Sequence, residues 1–294
     1  MDGTTDELVR RIGSNKVFRF NVDLWRDYNF RFTSEEFQIS DPTGRECNHL
    51  KIMALYVRKP TFDDPIVVPL GGGPENWIRA EISYMIQELY CFCDELKIVR
   101  LVEKGAERRF GKFAQLRMAK EFFKVPDWQY IRSSHSISFD GDCVTKSLSM
   151  EFVRDSMPMF TRSVNPAELS PDYPWFLQRK IDADADVTIA YVAGECFAFE
   201  LDRNSFTGVD WRPHIYAQDL TWNRITIPNS LVASVRAYMS KAGLKFGRLD
   251  FLRRDTDFFF LEVNPNGQWA WLDLDGNEGL FDAVVKQLTS GWMS

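Results

Sequence analysis

Apolar residues alternate between strand-like and helix-like spacing along the chain. Residues 51–57 form a short apolar run that reads as a buried strand. Val67 and Val68 form another short run, just before Pro69 and the glycines Gly71, Gly72 and Gly73. Trp77, Ile78, Ile82, Met85, Ile86 and Leu89 keep the spacing of one helical face and predict a helix over 77–90. A second helix is expected over 108–123, ended by Pro126. Strands follow at 136–139, 143–146 and 175–178, then at 187–192 and 196–201. The last two flank Ala193, Gly194 and Glu195, an antiparallel hairpin signal with glycine in the turn. A helix over 228–242 has Gly243 as its C-cap. Strands at 246–252 and 258–263 are joined by five polar residues, and a helix over 280–288 closes the pattern. No internal repeat or Pro/Gly-rich linker interrupts it, and strand–helix alternation of this kind indicates an α/β layer arrangement. At about 150 residues per domain, the 294 residues suggest about two domains.

Composition narrows the function classes. Hydrophobic residues are 45% of the chain, with Phe 24, Trp 9 and Tyr 9, enough for a large core and against disorder. Lys+Arg 36 against Asp+Glu 42 leaves a net charge of −6 with no strongly basic stretch, so no nucleic acid partner is expected. No segment reads as a signal peptide or as a span of about 18 apolar residues, which leads to the expectation of a soluble, cytoplasmic protein with no membrane partner. The five cysteines form no even-numbered framework. Cys91 and Cys93 lack the two-residue gap of common zinc knuckles, and read as two small hydrophobes on a helix. The triple glycine lacks both GxGxxG and GxxxxGK surroundings and reads as a turn. His49, His135 and His214 show no metal spacing, and no Ser-His-Asp order or GxSxG elbow points to a hydrolase.

The chemistry concentrates near the end of the chain. Side chains two apart in a strand share a face, so Glu262 and Asn264 point one way and Leu261 and Val263 the other. Asp250 is brought opposite by a short hairpin. Two carboxylates and an amide oxygen suit Mg²⁺ when phosphates complete its coordination. Taken alone, the same acids are equally those of two solvated edge strands. Upstream, Lys112 stands on a helix and Lys146 on an apolar strand where an anionic partner is needed. Two lysines and a metal site meet the needs of a nucleoside triphosphate.

These residues carry a resemblance. The run Phe260-Leu-Glu-Val-Asn-Pro-Asn-Gly-Gln-Trp269 resembles, almost letter for letter, the FLExNPNGQW signature of the microviridin-type peptide maturases, the graspetide macrocyclases of the ATP-grasp ligases. Val57-Arg-Lys-Pro60, Lys112-Phe-Ala-Gln-Leu116, Val144-Thr-Lys-Ser-Leu-Ser149, Phe176-Leu-Gln178, Asp210-Trp-Arg212 and Gly243 to Phe251 match further elements in the family's order, from about residue 18 to 288. The resemblance implies an ATP-grasp fold, α/β with α+β lobes. An N-terminal pre-ATP-grasp domain (1–105) would precede a central lobe (106–182) and a C-terminal lobe carrying the Mg/ATP site (183–294). It implies ATP and Mg²⁺ as cofactors. Lys112 and Lys146 would contact phosphates, and Asp250, Glu262 and Asn264 would hold the metal. Gln178, Arg179 and Ile181 would form the adenine hinge, with Leu261 beneath the ring. Lys146, Asp210 and Arg212 would be catalytic, Arg212 as an anion clamp. The implied partner is a ribosomal precursor peptide, a leader plus an acidic core, and the implied assembly a homodimer. Asp or Glu side chains of the core would be activated as acyl phosphates and joined to Ser/Thr hydroxyls or Lys amines.

One position departs from the pattern. Asp186 stands where the family usually has an arginine that lines the acyl-phosphate site, a reversal of local charge. An unusual acceptor, substitution by another arginine such as Arg179, or impaired catalysis would each account for it. Two other readings stand beside the macrocyclase: an intermolecular ligase that adds amino acids to a peptide end, and a pseudo-ligase that binds nucleotide or peptide without forming bonds. The hairpin around Gly194 is a candidate edge for docking a peptide.

Overall fold

A computed structural model describes residues 3–58, 74–101, 110–132, 141–148, 152–154, 157–158, 160–214 and 220–290. The expected runs at 67–68 and 136–139, the triple glycine, Lys59, Pro60 and His135 lie outside the described residues. The chain divides into two compact units: Met1–Ala106 with Pro265–Ser294, and Glu107–Asn264. The final thirty residues, expected in a C-terminal lobe, thus group with the N-terminal unit. No helix among the described residues is long and apolar enough to cross a membrane.

The first unit opens with α1 (Thr4–Ile12), then a three-stranded antiparallel sheet, β1 (Asn29–Phe32), β2 (Phe37–Ser40) and β3 (Glu46–Asn48). Next come β4 (Ala54–Leu55), the long helix α2 (Pro74–Glu95) and β5 (Val99–Arg100), which pairs in parallel with β4. Only two residues of the 51–57 run are therefore in a sheet, while α2 extends beyond 77–90 at both ends. On β2, Phe37 and Ile39 alternate inward and pack against Leu89 and Cys93 of α2. Cys91 and Cys93 lie two apart on a helix, so their directions diverge: Cys93 is in the core and Cys91 is exposed.

The C-terminal helix Leu280–Thr289 belongs to the same unit. Its start is capped by Asp273, buried, whose carboxylate accepts from the backbone N–H of Glu278, Leu280 and Phe281 at 2.8–3.0 Å. Fully buried Trp269 packs on Phe281, ring centres 4.6 Å apart, and donates to the Tyr56 hydroxyl at 3.2 Å. Arg58 donates to the carbonyls of Asn266 and Gly267 at 3.0 and 3.2 Å. The residues after Asn264 in the FLExNPNGQW match are thus structural anchors of the first unit.

The second unit begins with α3 (Lys112–Ala119), shorter than the expected 108–123 because Gly111 before it is extended and a turn follows it. Then come β6 (Trp128–Ile131), β7 (Cys143–Thr145), a ribbon of β8 (Phe152–Arg154) and β9 (Met157–Pro158), β10 (Arg162–Val164) and β11 (Trp175–Arg179). Four of them form a sheet in the order β10-β7-β11-β6. Phe113 of α3 stacks over it on Trp128 and Phe176, at 5.1 and 6.1 Å.

The remaining strands, β12 (Ala185–Val192), β13 (Glu195–Asp202), β14 (Asn223–Ile225), β15 (Phe246–Arg254) and β16 (Asp257–Asn264), form an antiparallel sheet in the order β14-β13-β12-β15-β16. Between β12 and β13, Ala193 (φ 44°) and Gly194 (φ 104°) make a tight two-residue turn of the kind that matches strand twist. A turn with Asp255 at φ 53° joins β15 to β16, tighter than the five-residue link expected. On the sheet lies α4 (Asn229–Lys241), contributing Leu231, Val235, Tyr238 and Met239 to the core. Every residue of central β12 is buried except Asp186, which is half-buried. Phe123, after α3, stacks on Phe260 at 5.3 Å, and Phe260 N–H donates to the Lys124 carbonyl at 2.8 Å, tying the helix region to β16.

Candidate functional site

The strand pair β15/β16 sets the first half of the site. In register, Asp250 faces Glu262 and Arg248 faces Asn264, so these four side chains share one sheet face. On the adjoining strand Thr188 faces Asp250, and its hydroxyl donates to Asp250 Oδ1 at 2.8 Å. The arginine lies 3.3 Å from the other carboxylate oxygen. A bulge after Asp250 gives β16 one extra residue: Asp250 pairs with Glu262 but Phe251 with Phe260, leaving Leu261 between. This corrects the strict alternation. Phe260 and Val263 fill the core face, whereas Leu261 is half-buried and not a core residue.

The bulge is fixed from behind. Gln115 of α3 is buried, accepts from Val263 N–H at 3.1 Å and donates to the Phe110 carbonyl at 2.9 Å. One turn earlier on α3, the Lys112 ammonium forms an ion pair with Glu262. Burial, with Lys146 and Arg212 nearby, holds Lys112 well below the usual lysine range despite the pull of Asp250. Lys146 is just past β7, not on it, with Nζ 5.7 Å from the centre of the Phe176 ring. Burial first and then Arg212 bring its pKa down to about 8. Two buried lysines, each with its pKa lowered first by burial, make a site where a polyanion gains the most.

At the end of β11, Gln178 is 2% exposed, and its Nε2 has no hydrogen-bond partner among the described residues. A buried amide donor left unsatisfied costs about 1–3 kcal/mol, so the position suits a ligand that supplies an acceptor. Arg179 is exposed, with Nη1 3.6 Å from Asp127, and Ile181 is half-buried.

A third group surrounds Asp210, which is buried. Its carboxylate receives Arg212 in a two-pronged pair, Nε to Oδ1 at 2.9 Å and Nη2 to Oδ2 at 2.5 Å, and Thr161 N–H at 2.9 Å. Against its burial, these donors hold the Asp210 carboxyl below its ordinary value, and the Asp210 carboxylate in turn raises Arg212. Asp186 is paired with Arg203, Nη1 to Oδ2 at 2.9 Å. Burial nevertheless pushes the Asp186 carboxyl up to about 7, with Asp210 and Asp250 adding to the rise. Arg203, and not Arg179, is thus the arginine that meets the reversed charge. His214 is a loop tie, its Nε2 2.8 Å from the Thr207 carbonyl.

Among the described residues no three His, Cys, Asp or Glu side chains converge as a metal group. The set here is two carboxylates and an amide, all oxygen donors on one face, a set that fits a hard cation sharing its coordination with phosphates. Sequence reasoning missed Arg248, Thr188 and Arg203. The first follows from the same two-residue period that paired Glu262 with Asn264. Thr188 follows from hairpin register, while no local signal marks Arg203.

Neither a protein-family model nor a curated protein matches the sequence. Among solved structures, the chain is similar to the macrocyclase MdnC bound with precursor peptide MdnA from Microcystis aeruginosa MRC, at TM-score 0.77 and 19% identity over 99% of this chain and 97% of that one. It is also similar to a Chryseobacterium gregarium RiPP-associated ATP-grasp ligase in complex with ADP and a leader and core peptide, at TM-score 0.79 and 20% identity over 98% and 94%. A third is the ATP-grasp ligase PsnB complexed with a minimal precursor, at TM-score 0.76 and 14% identity over 98% and 93%. Their shared architecture spans nearly the whole chain, and this protein therefore has the ATP-grasp fold.

Proposed function

We propose that the protein is an ATP-dependent peptide ligase, a macrocyclase of the graspetide type. The observation that carries this reading is the single cluster of Lys112, Lys146, Asp250, Glu262 and Asn264, with the unsatisfied Gln178 amide in the same unit. Each of these five residues belongs to one of the resembled motifs. Structures of the same fold are complexed with ADP and with precursor peptides, which supports a nucleotide and a peptide as the two ligands here.

The chemical problem is a carboxylate, a poor electrophile because oxide would have to leave. A substrate carboxylate oxygen attacks the γ-phosphorus, the bond to the β,γ-bridging oxygen breaks, and ADP and an acyl phosphate result. A hydroxyl or amine of the same peptide then adds to the acyl carbon and loses its proton, and inorganic phosphate leaves, giving an ester or an amide. Lys112 and Lys146 hold the phosphates, and their charges oppose those that develop on the transferring group. Asp250, Glu262 and Asn264 would hold Mg²⁺, which would supply further neutralisation of the phosphate charge. Gln178, Arg179 and Ile181 would border the base, and Leu261, freed from strict alternation by the bulge, would offer it an apolar surface. Arg212, aimed by Asp210, clamps the acyl phosphate or the substrate carboxylate. The substrate is a ribosomal precursor peptide with a leader and an acidic core, acted on in the cytoplasm by a homodimer.

Co-expression with a precursor peptide, read by intact peptide mass, tests this. Loss of one water per bond, abolished by Glu262→Ala, is the expected result. Gain of residue mass would instead identify an intermolecular ligase, and an unchanged peptide with ATP bound a binding-only protein.

A further inference from the structure

The Asp210–Arg212 pair is carried on the 203–214 loop, and that loop is short of regular structure. It contains two single-turn 3-10 segments, Arg203–Ser205 and Arg212–His214, and no strand. Its backbone is tied by Arg203 N–H to the Asp184 carbonyl at 3.0 Å and by His214 N–H to the Trp211 carbonyl at 2.9 Å, and several side-chain contacts meet at Arg203. The Arg203 guanidinium donates through Nη1 to Asp186 on β12 at 2.9 Å and through Nη2 to the Gly208 carbonyl at 3.4 Å. It lies over the Phe206 ring, 5.3 Å from its centre, and Phe206 is buried with His214 6.0 Å away. His214 closes the loop through the Thr207 carbonyl. Gly208 has φ +87°, so the carbonyl that Arg203 holds belongs to a residue in the left-handed region.

The ion pair is well shielded, with both side chains 14% exposed, and Asp186 is the one residue of β12 that is not buried. A half-buried carboxylate near the start of an otherwise buried strand requires a reason, and the geometry supplies one: it is a point on the sheet to which the loop attaches. We propose that Arg203 is a positioning residue, whose ion pair with Asp186 ties the 203–214 loop to β12 and thereby aims the Arg212 guanidinium. The loop's other attachment is the Thr161 N–H bond to Asp210, and Arg212 follows two residues later, paired with that same carboxylate. In this arrangement the carboxylate at position 186 is matched to an arginine 17 residues later, and the charge reversal there is compensated from just beyond the end of the neighbouring strand β13.

The effect on Arg212 rests on its proposed role as the anion clamp, whereas the tie itself does not. Arg203→Gln, Arg203→Lys, Asp186→Asn and the reversed pair Asp186→Arg with Arg203→Asp would be compared in the full chain. Backbone hydrogen exchange over 203–214 in the nucleotide-free protein reads the tie, with exchange in β12 and β15 reporting that the sheet is folded. Peptide modification and ADP-binding affinity read its consequence. Arg203→Gln and Asp186→Asn are expected to speed exchange in 203–214 by about tenfold or more, while Arg203→Lys and the reversed pair recover most of the protection. In the same variants kcat is expected to fall by about tenfold or more, with ADP affinity within about threefold of the parent. Unchanged exchange in Arg203→Gln would overturn the proposal. So would loss of turnover in Asp186→Asn with exchange intact, because that result assigns Asp186 to the chemistry itself, or a reversed pair as unprotected as the single variants. If the unaltered protein modifies no peptide, the proposed function fails, and the exchange data still decide whether the tie exists.

Discussion

The carboxylate ladder on β15/β16 and the arginine clamp on the 203–214 loop are two ways of holding charge in one unit. In the ladder, Asp250, Glu262 and Asn264 are placed by backbone register, and a substitution at one of them leaves the others where they are. In the clamp, Arg212 is held by the side chain of Asp210, on a segment with no strand of its own whose Gly208 carbonyl accepts from Arg203. Charge fixed by the sheet is robust in position and depends on each residue only for chemistry. Charge fixed by contacts is adjustable, and it fails when a tie is cut.

The largest expected effect removes chemistry from the ladder side without moving it. Glu262→Ala and Lys146→Ala are each expected to lower the rate of ADP formation with peptide by about 10²–10³ or more, as for loss of a preorganised charge, with circular dichroism unchanged. Thr188→Val leaves Asp250 in register but removes the hydroxyl that orients it. The Mg²⁺ concentration giving half-maximal activity is expected to rise by about 10-fold, at the low end of the effect of outer-sphere partners.

Gln115→Leu attacks the ladder's backing. It leaves the buried Val263 N–H without its acceptor, and chemical denaturation is expected to show a loss of about 1–3 kcal/mol. The pH profile sharpens the contrast. Lys146 titrates near 8 when folded and near 10.5 when unfolded, so between those values the unfolded chain binds the extra proton and stability rises with pH. Nucleotide binding needs the ammonium charged and is expected to weaken as pH passes about 8, with Lys146→Arg flattening that fall. At the small end, Glu200→Gln breaks a partly exposed pair with Arg253 on the same sheet and is expected to change stability by less than about 1 kcal/mol.

This division also explains what could be read from the sequence. The ladder was legible because a two-residue period is a property of any strand, and the Ala193-Gly194 turn announces its hairpin chemically. What the period could not show is the bulge at Leu261, since an extra residue in a strand has no compositional mark and is fixed by Gln115 from a helix 148 residues earlier. The partnership of Asp186 and Arg203 was equally hidden. The reversed charge was visible at 186, but its compensation depends on where a hairpin ends and a loop folds back, which is a tertiary fact. The Asn-Gly-Gln-Trp run after Asn264 was visible as part of a motif, yet its placement in the first unit, through Arg58 and Trp269, reflects packing that spacing does not encode.

That placement has a consequence for synthesis. The unit with the ladder and the clamp is one uninterrupted stretch, Glu107–Asn264, whereas the unit begun by α1 is completed only by residues after Pro265. A nascent chain emerging from the ribosome therefore finishes the Glu107–Asn264 unit while the other unit still lacks Trp269, the Asp273 cap and the helix it starts. Domains ordinarily fold in the order they are made. Here, of the two units, the one begun first is the later to have all its parts, and the apolar surfaces around Tyr56 await Trp269 and the helix after it.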